Sequence, residues 1–242
     1  VKSIENLHEI YQNHAHKWQA FLEESSKEIT TLLGSLGLKA TVKYRVKEFD
    51  SFVKKINQAK QSGKKKKIQI SDLFGIRVIV PFLEDVDQAI ELITGNYDIV
   101  EVEHKSETLS FREFAYDSVH VNVVVNKKGI TFPPQSKKVC EIQVRTILQD
   151  AWAEVEHELI YKSDIEFPNE SIKKKLAALN ANLTLSDIIF QEIRDYTKEL
   201  ESWGNNRFQL LKTEALRLHP DILPKMLEKQ KTKQQAVAGK PR

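Results

Sequence analysis

A single cysteine, Cys140, occurs among the 242 residues. No disulfide can close within the chain, and the Cys/His spacing suits no zinc site, which fits a reducing, cytoplasmic setting. Cys140 sits among strand residues and reads as a small buried hydrophobe. No apolar run approaches the ~18 residues of a bilayer span, and the N-terminal residues show no basic-then-apolar targeting pattern, so neither a membrane nor export is expected. The net charge of +3 does not by itself call for nucleic acid or a membrane surface. Neither Gly-x₄-Gly-Lys-Ser/Thr nor Gly-x-Gly-x-x-Gly is present. A P-loop and a Rossmann turn are therefore excluded, and any phosphate must be held by side chains.

What is present is ordinary in bulk and uneven in detail. At 40% hydrophobic and 29% charged residues, the chain has the composition of a globular protein with a sizeable core. Between Thr41 and Arg77 there are eleven Lys/Arg and three acids, a local excess that attracts anions. Apolar residues at helical spacing (Leu7, Ile10, Tyr11, His14, Trp18, Phe21, Leu22, Ile29, Leu33) predict a helix over 4–33, stopped at Gly34. Five strands follow from "ATVKYRVK", "GIRVIVP", "YDIVEVEHK", "SVHVNVVV" and "KVCEIQVRT", with helices over 48–61, about 84–94 and from the last strand to Lys162. Residues 171–203 contain neither proline nor glycine. They place Ile172, Leu179, Ile193 and Leu200 on one heptad register and Leu176, Leu183 and Phe190 on its partner, with Ser186 and Thr197 as breaks. This predicts a long helix that packs on its own domain or on a second copy. A last short helix begins at Pro220, ahead of a frayed Lys/Gln tail. The expected architecture is α/β (α+β): a mixed, roughly five-stranded sheet flanked by helices, with long N- and C-terminal helices. Its parts are an N-terminal helical segment over 1–37, the sheet domain over 38–165 and a helical extension over 166–242.

The strands carry the chemistry. Successive strand side chains point to opposite faces. Val42, Tyr44 and Val46 therefore oppose Lys43, Arg45 and Lys47, while Ile76, Val78 and Val80 oppose Arg77 and Ile79. In the same way Val119, Val121 and Val123 oppose Ser118, His120 and Asn122, and Cys140, Ile142 and Val144 oppose Glu141, Gln143 and Arg145. In one sheet, the polar faces build a continuous floor rich in cations and holding a carboxylate. A merely solvated sheet face would be Thr, Lys and Glu in any order; Arg, His, Gln and Glu in mid-strand beside strongly apolar neighbours fit a site better. Asp72, just before the strand of Arg77, adds a second carboxylate. Two acids among many cations suit Mg²⁺ with phosphates, the oxygens holding the ion and Arg/Lys neutralising the phosphoryl groups.

Four segments, "YRVKEFDSFVKK", "ISDLFGIRVIV", "AYDSVHVNV" and "EIQVRTILQDAWAEVEHELIYK", resemble in that order the synthetase domain of RelA/SpoT-type alarmone synthetases, over about residues 40–163. The last is the most specific. The helical flanks look like those of a small, stand-alone synthetase. The resemblance implies a nucleotidyltransferase-like fold and a GTP/GDP pyrophosphokinase, which moves the β,γ-pyrophosphate of ATP to the ribose 3′-OH of GDP or GTP and makes (p)ppGpp. By position, Arg45, Lys47, Ser51 and Lys55 would line the ATP side, and Arg45 and Arg77 would sandwich adenine. Asp72 and Glu141 would hold Mg²⁺, with Glu141 also placed to take the 3′-OH proton. Tyr116 would stack on guanine, Lys105 and Arg112 would meet the pyrophosphate, and His120, Gln143 and His157 would place the acceptor.

The chain departs from the family before Tyr116. "KSETLSFREFAYDSVH" lacks the family's Asp-Tyr pair and the Pro and Gly of its loop, which leaves the acceptor open. A tRNA 3′ end, the target of some toxic relatives, would use "GKKKK" and the basic tail. A non-catalytic nucleotide- or RNA-binding relative is the third reading, against which both carboxylates stand. No His-Asp pair occurs, so the hydrolase activity of the long bifunctional relatives is not expected. The helical seam is consistent with a homo-oligomer. Arg145 shares the polar face, either on phosphate or holding its neighbours in place.

Overall fold

The computed structural model describes residues 2–61, 69–104, 118–161 and 170–218. Two compact units, Val1–Gln191 and Glu192–Arg242, divide the chain. The first holds α1 (Lys2–Ser35), β1 (Thr41–Val46), α2 (Phe49–Gln61), β2 (Phe74–Val80), α3 (Leu83–Asn96), β3 (Ile99–His104), β4 (Val119–Val124), β5 (Val139–Thr146) and α4 (Ile147–Glu156). A single wide turn of π-helix, His157–Tyr161, follows α4, and α5 runs over Glu170–Leu218.

The strands form one sheet in the order β1-β2-β5-β4-β3. β2 and β5 are parallel; the other neighbours are antiparallel. The expected mixed, five-stranded, helix-flanked sheet is what the chain forms. Its register lines up the apolar positions in rows. Val42, Val78, Val144 and Val119 make one row, Tyr44, Ile76, Ile142 and Val121 the next, and Val46, Phe74, Cys140 and Val123 the third. Cys140 is buried there, as its setting predicts, and burial pushes its thiol pKa up.

α1 supplies the facing layer. Leu7, Tyr11, Trp18, Leu22, Ile29 and Leu33, at steps of four and seven, are all buried in the same core as the strands. The N-terminal helix is thus part of the sheet's own core. Trp18 is wholly enclosed, stands edge-on to Phe74, and donates its indole N–H to the Thr131 carbonyl at 2.9 Å. The buried polar end of the ring is thereby satisfied.

Three helices differ from expectation. The stop of α1 is Gly37 rather than Gly34. The Leu38 N–H meets the Leu33 carbonyl at 3.1 Å and the Gly37 N–H meets Gly34 at 3.0 Å, with Gly37 at φ +74°. This is the Schellman pattern, in which the residue after the cap adopts the left-handed conformation and the next one packs back on the helix; Leu38 and Leu33 are both buried. Gly34 lies inside the last turn. The long C-terminal helix continues through Gly204 to Leu218 instead of ending near 203. One glycine costs only about 1 kcal/mol in a helix interior, and the good helix formers of "RFQLLKTEALRL" carry it on. The helix after β5 was expected to reach Lys162 unbroken; it changes to the π turn at His157. The predicted final helix from Pro220 lies outside the described residues.

In the first unit, α5 is tied to the sheet domain by Asp187, whose buried carboxylate accepts from Thr146 Oγ1 at 2.6 Å. Gln191 Oε1 accepts the Glu84 backbone N–H at 3.1 Å. In the second unit the helix exposes Tyr196, Trp203 and Leu210.

The cap of α1 distinguishes two nearby glycines. Gly37→Ala is expected to lower stability by about 1 kcal/mol, because a Cβ in the left-handed region is strained. Gly34→Ala, with nothing within 4 Å of its added carbon, is expected to raise it by about 0.5–1 kcal/mol. Urea midpoints of the two variants measure this; equal shifts would contradict the cap assignment.

Candidate active site

Cross-strand register assembles the polar face in two rows. Lys43, Arg77, Gln143, His120 and Glu103 form one; Arg45, Gly75, Glu141, Asn122 and Glu101 form the other. A cleft of about 230 Å³ opens on them, lined by Lys43, Arg45, Asp72, Arg77, Glu141 and Gln143 together with Tyr44, Gly75 and Glu154. Five residues proposed from the sequence (Arg45, Asp72, Arg77, Glu141 and Gln143) thus share one cavity. Gly75 was not singled out. Lacking a side chain between Arg45 and Glu141, it leaves the middle of its row open, with Arg45 Cγ 3.7 Å from where a Cβ would lie.

Asp72 sits in the turn before β2 and faces two lysines. Its Oδ2 accepts from Lys47 Nζ at 2.9 Å and from Lys55 Nζ at 2.7 Å. Lys47 follows β1 and Lys55 lies on α2, so the carboxylate joins three segments. Burial pushes its pKa up, but the hydrogen bonds and charges of Lys55 and Lys47 outweigh that and hold it below the ordinary value. Its Oδ1 is buried without a hydrogen-bond partner among the described residues.

Glu141 is gripped from both sides. Oε1 lies 3.1 Å from His120 Nδ1, and Oε2 accepts from Gln143 Nε2 at 2.7 Å. His120 Nε2 is in turn 3.1 Å from Ser118 Oγ. Burial raises the Glu141 pKa and Asp72 adds to that, yet the contacts with His120 and Gln143 prevail and keep it below the usual carboxylate range. In this structure His120 and Gln143, expected from the sequence to place an acceptor, hold the Glu141 carboxylate. Gln143 Oε1 accepts from Arg145 Nη2 at 2.7 Å.

These two carboxylates fit a hard divalent cation. No group of three or more His, Cys, Asp and Glu that could hold a metal occurs among the described residues. Two acidic residues, one with an unpaired buried oxygen, suit Mg²⁺ that keeps waters and takes phosphate oxygens as its remaining ligands.

Sequence reasoning missed the carboxylates of α4. Asp150 is buried and faces three cations: Lys43 Nζ at 3.2 Å, Arg77 Nη1 at 3.6 Å and Arg145 Nη1 at 3.7 Å. Glu154, one turn on, pairs with Arg77. The local signal was there. Thr146 caps α4, its Oγ1 accepting the Gln149 N–H at 3.1 Å while Gln149 Oε1 accepts the Thr146 N–H at 2.7 Å. This reciprocal cap fixes the first turn and so sets Asp150 and Glu154 on one side of the helix. The Arg77 hydrogen bond, with its charge, holds Glu154 below its ordinary pKa despite some burial.

The remaining predicted residues are less central. Ser51 is exposed on the first turn of α2, and His157 is exposed at the start of the π turn. Lys105, Arg112 and Tyr116 lie outside the described residues, as do "GKKKK" and the basic tail.

A mixed sheet with a cleft lined by cations and carboxylates is the class of site the chain builds, and comparison with known proteins shows the family. Residues 44–166 match the model of the region found in RelA / SpoT proteins, and the chain belongs to that family. GTP pyrophosphokinase YwaC of Bacillus subtilis is 30% identical over 130 residues, which are 53% of this chain and 61% of the relative. GTP pyrophosphokinase YjbM of the same organism is 23% identical over 198 residues, 77% of this chain and 92% of that one. The crystal structure of small alarmone synthetase 1 from Bacillus subtilis bound to its product pppGpp superposes with a TM-score of 0.62 at 21% identity. That match covers 77% of this chain and 97% of that one.

The ion pairs of Asp72 make stability depend on pH. Since the folded pKa is lowered, their contribution is complete above the unfolded value of about 3.9 and is lost as pH falls through the lowered folded value. Taking wild type and Asp72→Asn from about pH 6 to about pH 3, the urea midpoint should fall more steeply in wild type. Parallel curves would contradict the pairing.

Proposed function

We propose that this protein is an ATP-dependent nucleotide 3′-pyrophosphokinase that makes (p)ppGpp from GDP or GTP. The observation that carries this reading is the convergence of Arg45, Arg77, Asp72 and Glu141 on one cleft, in a chain of the RelA/SpoT family. Relatives named GTP pyrophosphokinase and a neighbour solved with pppGpp support it.

Arg45 and Arg77 are diagonal neighbours across β1 and β2, since Arg45 pairs with Gly75. Diagonal positions lie about 7–8 Å apart, close to two stacking distances of about 3.5 Å each. An adenine ring fits between two guanidinium planes so spaced. The pairing of Arg77 with Glu154 and Asp150 uses the edge of its guanidinium and leaves the faces for stacking. Lys47 and Lys55, now on Asp72, supply charge to the triphosphate.

Asp72 and Glu141 would hold Mg²⁺, which on binding neutralises phosphate oxygens. The acceptor's 3′ oxygen forms a bond to the β-phosphorus of ATP as the bond from that phosphorus to the oxygen bridging to the α-phosphate breaks. AMP leaves, and the hydroxyl proton passes to Glu141. A carboxylate held below its ordinary pKa is a weak base, but it is ionised and fixed in place. Phosphoryl transfer through a loose transition state asks mainly for alignment and charge. Exposed Leu179, Phe190, Ile193 and Leu200 along α5 support self-association through this helix. Hydrolysis of the product is not expected, since the chain has no His-Asp pair.

The test is transfer from labelled ATP with Mg²⁺ to GDP, GTP, ATP or deacylated tRNA. Label on GDP or GTP is expected, and Glu141→Gln should abolish it while leaving the thermal midpoint close to wild type. Label on tRNA alone, or wild-type turnover by Glu141→Gln, would overturn the assignment.

A further inference from the structure

We propose that Arg145 is a positioning residue for the pyrophosphoryl transfer, acting through the Gln143 amide to fix the orientation of the Glu141 carboxylate. The inference rests on the function proposed above. It concerns alternate residues of one strand, Glu141, Gln143 and Arg145, whose side chains share a face and are linked head to tail.

The chemistry of a primary amide makes the link directional. Gln143 has one acceptor end and one donor end, and nothing intrinsic to the side chain decides which faces Glu141. Arg145 decides it. A guanidinium only donates, so its Nη2 at 2.7 Å requires the oxygen of Gln143 on that side. The amide nitrogen is then turned to Glu141 Oε2, also at 2.7 Å. In the opposite orientation two oxygens would meet at Glu141 and two donors at Arg145. With Oε2 held by Gln143 and Oε1 beside His120, the plane of the carboxylate is set before any ligand arrives.

Arg145 is itself anchored for this task. It is buried, at 7% exposure, and faces Asp150 at 3.7 Å, on the first turn of the capped α4. Its Nε and Nη1 are buried without hydrogen-bond partners among the described residues, so its one hydrogen bond there is the one to Gln143. Arg145 is also absent from the residues lining the cleft. Its connection to that cavity runs through Gln143 and Glu141, which do line it.

Steady-state transfer by the full chain should be measured for wild type, Arg145→Met, Gln143→Leu and the double variant, with thermal midpoints alongside. Loss of a group that orients a metal- or substrate-binding side chain typically costs about 10–100-fold. Each single variant should lower kcat by that order while the KM for ATP changes less than about threefold, since ground-state binding is not the target. The double variant should be no slower than the slower single one, because both act through one link. A second readout needs no turnover: the side-chain amide NMR signals of Gln143, assigned by their loss in Gln143→Leu, should move toward the position of a solvated amide in Arg145→Met. Effects that multiply in the double variant, a raised KM at unchanged kcat, or unmoved amide signals would each overturn the proposal.

If Arg145→Met does not fold, Arg145→Lys carries the same test. It keeps the charge opposite Asp150, but a single ammonium cannot face Asp150 and Gln143 as the fork does. Reduced kcat and shifted amide signals are expected, and wild-type values for both would overturn the role. If the wild-type protein transfers nothing, the functional reading fails, and the amide signals still decide whether Arg145 orients Gln143.

Discussion

The parallel pairing of β2 with β5 brings residues 66 positions apart in the chain to the same level of the sheet: Phe74 with Cys140 and Arg77 with Gln143 share this one register. Strand side chains alternate with a period of two, so a slip of one residue would send Arg77 into the core and bring Ile76 or Val78 to the cleft. The apolar rows under α1 prevent that slip. Trp18 against Phe74, and Tyr44, Ile76, Ile142 and Val121 in line, can be buried in only one register. Hydrophobic packing on one face thereby determines where the charges lie on the other. The same constraint sets Gly75 in the cleft-facing row between Arg45 and Glu141, where an added Cβ would lie 3.7 Å from Arg45 Cγ.

Charges gathered in this way repel one another unless they are balanced. Lys43, Arg77 and Arg145 converge on Asp150, Arg77 also on Glu154, and Lys47 and Lys55 on Asp72. Such partly buried pairs contribute little net stability, because desolvation offsets much of their attraction. Their consequence is geometric: the cations are held near the places a polyphosphate would occupy, and little reorganisation remains when it binds. Burial and the neighbouring Arg77 lower the pKa of Arg145, while Asp150, Glu141 and Glu154 oppose that shift. The balance around it is local rather than supplied by solvent.

Much of this was legible in the sequence, for identifiable reasons. Alternation in "CEIQVRT", "GIRVIV", "TVKYRV" and "VHVNVV" has one solution when one face must be greasy, so the floor and most of its residues could be read without coordinates. Asp72 was legible because it stands just before the strand that carries Arg77. Asp150 and Glu154 were not, since an acid on an amphipathic helix looks like a solvated residue until the helix is docked. Their signal was the Thr-x-x-Gln cap that fixes the first turn of α4. The stop of α1 was misread because two glycines lay within reach of the end, and packing of Leu38 on Leu33 selects the second. The role of Arg145 was legible only as two alternatives, contact with phosphate or support of its neighbours: alternation gives its face, but the direction of the Gln143 amide is a property of three side chains together.

Everything proposed for this protein requires the polar face of the sheet to be the nucleotide site, with Arg45 and Arg77 as the base clamp and Asp72 and Glu141 as the metal end. A crystal structure with a non-hydrolysable ATP analogue and Mg²⁺ tests it most directly. Adenine is expected between the two guanidinium groups, with the ion bound by both carboxylates. A nucleotide bound elsewhere on the chain, or an ion that touches neither Asp72 nor Glu141, would contradict it.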